Sequence, residues 1–158
     1  MTLRSLAAPA LGLLTLTACA PVAMNLAEIT LPKTLYFHPV QGPIFNQHPE
    51  TALAGSVTGA YRSGSMVLTL PSGEVCQGPW AIIPQSQVEA TLAGEWDQIY
   101  GTGYFVRAVQ GARQRGKATL TGDRGSVFQA EFSQGPEKDA PLRGVAKDKS
   151  GNLFKIVR

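Results

Sequence analysis

Apolar and polar residues alternate with a period of two through much of the chain after residue 34. Over residues 116–133, Ala118, Leu120, Phe128, Ala130 and Phe132 fall on one face of a predicted hairpin. Lys117, Thr119, Thr121, Gln129, Glu131 and Ser133 fall on the other. Over residues 64–82, Met66, Leu68 and Leu70 share a face with Cys76, Gly78, Trp80 and Ile82. A short motif recurs at the turns. Gly73-Glu-Val-Cys76-Gln, Gly125-Ser-Val-Phe128-Gln and Gly151-Asn-Leu-Phe154-Lys share the form G-x-[V/L]-[C/F]-[Q/K]. Each follows an apolar run that opens on Gly64, Gly116 or Gly144, at Gly-to-Gly spacings of nine, nine and seven. The pattern predicts three β-hairpins with glycine at the turn exit, where positive φ is cheap.

The remaining elements are shorter. Leu35-Tyr36-Phe37 predicts a first strand closed by His38-Pro39, and residues 54–61 predict a second. Residues 41–52 read as a loop broken by Pro43 and Pro49. Residues 98–109 read as a strand bent at Gly101 and Gly103, and residues 86–94 as two helical turns opening at Ser86. One-sided strands need a sheet that curls or pairs. The fold class is therefore all-β: a small antiparallel barrel or sandwich of about eight strands.

Composition sharpens this only a little. The chain has 158 residues, 17 of them Gly and 11 Pro, and a formal charge of +3. That charge is too small to argue for nucleic acid. Cys19 and Cys76 are the only cysteines.

The N-terminus is patterned differently. Arg4 precedes an uncharged apolar stretch, residues 6–18, which is shorter than the roughly 20 residues a membrane-spanning helix needs. It ends in Leu16-Thr17-Ala18-Cys19, which resembles the lipobox of the bacterial lipoprotein family. The resemblance implies acylation of Cys19, cleavage before it and a second acylation on the new amine. Two or three acyl chains anchor stably, since each buried CH₂ contributes about 0.8 kcal/mol. Ala20, in place of Asp, implies the outer membrane as destination and a domain facing the periplasm. The expected organisation is a lipoprotein signal peptide over 1–18, a lipidated cysteine and flexible tether over 19–33, and a β domain over 34–158. With Cys19 consumed, Cys76 has no partner for an intramolecular disulfide.

The hairpins, through Gly116-Lys-Ala118, residues 122–125 and residues 144–152, are also similar to those of a group of small uncharacterised proteobacterial lipoproteins. That likeness covers the last half of the chain and implies no activity.

Candidate chemistry is sparse. His38 and His48 both precede proline and lack a spaced acid, so they make a poor metal set. Cys76 occupies the position that Phe fills in the other two repeats, which marks it as core rather than nucleophile. Glu95 and Asp97 flank Trp96 and sit too close together in sequence to straddle a scissile bond. No cofactor is implied. The one concentration of charge is Arg107, Arg113, Arg115, Lys117 and Arg124 around the loop 110–116. With Trp96, Tyr100, Tyr104 and Phe105 nearby, this region is the expected ligand-binding surface for an acidic envelope component or protein.

The expected function is a non-enzymatic binding or structural role in the periplasm, with the membrane as partner through the acyl chains. Two alternatives stand beside it. Small barrel lipoproteins that block lysozyme resemble this chain in architecture. They carry a Ser-Gly-rich loop with Arg and Tyr, of which residues 60–65 hold a scrambled version without the disulfide. A cell-wall hydrolase would need a carboxylate pair or a metal set.

Overall fold

Strand β1 (Thr34–Gln41) buries Leu35 and Phe37 and exposes Thr34, Tyr36 and His38. The computed structural model describes residues 34–158 other than 61, 85–86, 88–90, 111, 113 and 136–139, and not the side chain of Ala60. Leu16, Thr17, Ala18, Cys19, Arg113 and Ser86 lie outside the described residues.

Seven further strands follow: β2 (Leu53–Ala60), β3 (Ser63–Thr69), β4 (Val75–Ile82), β5 (Gln114–Gly122), β6 (Val127–Gln134), β7 (Leu142–Asp148) and β8 (Leu153–Val157), with the alternation clear in β3 and along most of β5 and broken by consecutive buried residues in β6 and β7. Each strand pairs antiparallel with its neighbours in sequence, and β8 returns to β1, closing an eight-stranded up-and-down barrel. Closure leaves no unpaired sheet edge. The predicted fold class therefore holds, in its barrel form. No helix among the described residues is long and apolar enough to cross a membrane.

The three predicted hairpins form, with Leu68 opposite Cys76, Leu120 opposite Phe128 and Ala146 opposite Phe154. Gly73, Gly125 and Gly151 take φ of 80°, 98° and 84°, in the left-handed region that favours glycine. All three turns lie at one end of the barrel. The residue after each glycine is put to use there. Glu74 accepts hydrogen bonds from the backbone N–H groups of Arg124 and Ser126 and from the Ser126 hydroxyl, tying two turns together. Asn152 accepts the Ile44 N–H at 2.8 Å, which seats helix α1 (Pro43–Gln47) across the same end. Residues 41–52, predicted as loop, thus contain one helical turn.

The barrel interior is filled by side chains. Phe37, Met66, Leu68, Cys76, Trp80, Leu120, Phe128, Phe132, Phe154 and Ile156 form one core. Glycines at inward positions make room for the rings. A Cβ on Gly116 would lie 2.1 Å from the Phe132 ring, and one on Gly55 would lie 2.7 Å from Phe37.

The connection between β4 and β5 departs from expectation. Residues 98–109 are not a strand. Helix α2 (Ala93–Tyr100) is followed by a turn through Gly101 and Gly103, at φ of 101° and 74°, and a π-helical turn (Phe105–Val109) closed by the Gln110 N–H on the Phe105 carbonyl. The reason lies in the spacing of apolar positions. Leu92, Trp96, Tyr100, Phe105 and Val109 recur every four or five residues, a helical spacing. Helix expected over 86–94 is described only at Ala93 and Gly94, where α2 begins.

Candidate functional site

The β4–β5 connection folds back over the outside of β5–β8 and builds a second, smaller core there. Leu92, Trp96, Phe105 and Val109 pack with Val145, an outward residue of β7. This explains three polar residues that alternation assigns to solvent. Glu131 is 3% exposed, Arg115 4% and Ser133 6%, because the outer layer covers them. A buried carboxylate needs donors. Glu131 takes them from the Thr91 hydroxyl and from Trp96 Nε1, the latter at 3.1 Å. The Arg115 guanidinium lies 5.6 Å from the centre of the Phe105 ring, a cation–π contact under the layer. Glu95 forms an ion pair with Lys147 of β7.

Asp97 fixes the turn that follows α2. Its Oδ1 accepts the Phe105 N–H and its Oδ2 the Gly103 N–H, each at 2.8 Å. These bonds, Phe105's foremost, hold its carboxyl below the usual carboxylate range. A carboxylate with a depressed folded pKa contributes stability that is full above its unfolded pKa of about 4 and is lost as pH falls through the folded value. The amide proton resonances of Gly103 and Phe105 should therefore titrate together below about pH 4. In Asp97→Asn that shared titration should vanish. Independent titration of the two amides in the native chain would refute the assignment.

Beyond Asp97, three aromatic rings pack against one another in a compact triangle. Trp96 is fully buried at the base. Its ring centre lies 5.4 Å from that of Tyr100 and 6.0 Å from that of Tyr104, and the two tyrosines are 4.9 Å apart. The Tyr100 hydroxyl reaches the carbonyl oxygens of Gly144 and Ile156 at 3.2 and 3.3 Å, bridging β7 and β8. Burial pushes its phenol up to about 12, so it stays a protonated donor at any physiological pH.

Cations rim this stack. The Arg143 guanidinium sits 5.7 Å from the centre of Tyr100 and 5.9 Å from that of Tyr104, and its Nη1 donates to the Tyr104 hydroxyl at 2.9 Å. Lys155 Nζ is 5.5 Å from the centre of Tyr100. Between them runs a groove of about 340 Å³, lined by Tyr100, Leu142, Arg143, Lys155, Val157 and Arg158 among others. Among the described lining residues none is acidic. The arrangement offers an exposed fork of N–H donors, a second cation and a flat aromatic wall, chemistry suited to phosphate or carboxylate.

The expected ligand-binding residues do not converge on one surface. Tyr100 lines the groove, whereas Trp96 is the buried floor of the stack. Arg115 is buried beneath the layer. Arg107 is exposed on the π-helical turn, where its Nη1 donates to the Thr102 carbonyl at 3.1 Å. Lys117 is exposed on β5. Arg124 lies at the far end of the barrel, bonded to the Ser72 carbonyl. Sequence reasoning missed Arg143 and Lys155, although a signal existed. Alternation along β7 and β8 sends Arg143, Lys147 and Lys155 outward, and the pairing of Val145 with Lys155 sets Arg143 diagonally beside it.

Other candidate chemistry falls elsewhere. Cys76 is buried in the barrel, and burial pushes its thiol up to about 11, against any nucleophilic role. His38 and His48 are exposed. Among the described residues no group of three His, Cys, Asp or Glu side chains is placed to hold a metal ion. Compared with family models, curated proteins and solved structures, the chain matches none of them.

Proposed function

We propose that this chain is a lipid-anchored envelope protein whose barrel is a non-enzymatic binding module for an anionic partner. The observation that carries the binding role is the groove in which Arg143 and Lys155 flank the Tyr100–Tyr104 stack. The lipobox at Leu16-Thr17-Ala18-Cys19 supplies the location: acylation of Cys19 places the domain on a membrane, with the outer membrane facing the periplasm as its site.

Packing supports binding over catalysis. The interior that other barrels use as a ligand cavity is filled here by phenylalanine, leucine and tryptophan side chains. The carboxylates that a hydrolase would need, Glu95 and Asp97, are engaged with Lys147 and with backbone N–H groups. The outer face over β7 and β8 is where shape, charge and aromatic surface coincide.

Polyphosphate is a suitable probe. The native chain should bind it at low salt and release it as salt rises, since Arg143 is exposed, Lys155 only half-buried, and both are screened. Arg143→Gln with Lys155→Gln should weaken binding by roughly tenfold per cation removed, about 1.4 kcal/mol each. Equal affinity in the native and doubly substituted chains would remove the groove from the account. Cys19→Ser should move the protein from the detergent phase to the aqueous phase, and a native chain already in the aqueous phase would remove the anchor.

A further inference from the structure

The groove's place on the barrel names its partner. β1 begins at Thr34, at the barrel end opposite the three glycine turns, and Tyr36 of β1 pairs with Val157 of β8. Val157 and Arg158 line the groove. The segment leading back to Cys19 therefore joins the barrel one strand away from the groove, at the same rim. Residues 20–33 span roughly 50 Å at most when fully extended. A barrel on so short a tether meets the bilayer surface at high effective concentration, so weak contacts suffice to dock it.

We infer that the groove docks on the phosphate layer of the anchoring bilayer, through anionic lipid headgroups. This rests on the reading above that Cys19 is acylated and that the groove accepts anions. Three features of the rim fit a lipid surface. Arg143 is exposed and presents the fork geometry that matches phosphate. Lys155 adds a second cation on the same face, and each such group at an anionic surface raises surface residence roughly fivefold. Tyr36, 43% exposed beside Val157, gives the rim an amphipathic ring of the kind that settles at headgroup depth. Docking in this pose turns the glycine-turn end of the barrel, with Glu74, Asp123 and Asp148, away from the membrane.

The test uses the chain carrying Cys19→Ser, so that no acyl chain contributes. It is sedimented with phosphatidylcholine vesicles and with vesicles in which phosphatidylglycerol is roughly a third of the lipid. Sedimentation is expected with the anionic vesicles alone, and its loss at about 1 M salt. Arg143→Gln with Lys155→Gln should reduce bound protein on the order of twentyfold, and Lys155→Gln alone about fivefold. Lys149→Gln, an exposed cation at the opposite end, should change nothing. Absence of binding to anionic vesicles, or equal losses in the Lys149 and Lys155 variants, would overturn the lipid assignment. If polyphosphate still binds in that case, the groove remains an anion site for a soluble partner. If neither binds, the groove reading falls as well.

Discussion

Trp96→Ala is expected to loosen the outer layer at a cost of about 3–5 kcal/mol, the range for removing a fully buried tryptophan. Trp96 has no exposed surface and floors the Tyr100–Tyr104 stack. Its Nε1–H is also a donor to the buried Glu131 carboxylate. Removing it costs the packing and strips a buried charge of one bond. The free energy of docking the layer caps the loss, because the barrel beneath is closed by its own strand pairs. The clearest readout is tryptic cleavage at the exposed Arg107, which should accelerate on the order of a hundredfold while the far-ultraviolet β signal persists. Polyphosphate binding should weaken in step, since Tyr100 and Tyr104 lose their support. An unchanged cleavage rate would mean that the layer is held by something other than this stack.

Gly78→Ala should be among the most damaging single methyls in the barrel. A Cβ there would sit 1.9 Å from the Thr119 carbonyl oxygen and 2.9 Å from its carbon. These are backbone atoms of the neighbouring strand, between the Gln77–Thr121 and Trp80–Ala118 pairs, so no side chain can swing aside. Strands β4 and β5 must separate, at about 3 kcal/mol. For a domain of this size the melting temperature should fall on the order of 10 °C. Gly94→Ala provides the contrast. It lies in α2 with no atom within 4 Å of the added Cβ, and alanine there should stabilise by about 0.5–1 kcal/mol. Melting shifts of the same sign and size in the two variants would contradict this packing account.

The barrel was readable because its determinants are local. Gly73, Gly125 and Gly151 set their turns, and period-two alternation sets which side of each strand faces in. The outer layer was not readable for a physical reason. Gly94, Gly101 and Gly103 interrupt its helical spacing, and its partner is the outward face of β5–β7, whose Glu131, Ser133 and Arg115 look like solvent-facing residues. Charge clustering misled in the same way. Arg115 and Lys117 are neighbours in sequence, yet one lies under the layer and the other in solvent. Arg143 and Lys155 stand apart in sequence and meet only through the pairing of β7 with β8.

The central claim is that the anion-binding face is the one built by Tyr100, Tyr104, Arg143 and Lys155. Amide chemical-shift mapping of the isotope-labelled chain during a polyphosphate titration tests it most directly. The account predicts that the largest shifts fall at residues 100–104, 141–145 and 155–158. Largest shifts at residues 107–117, or at the glycine-turn end, would contradict it.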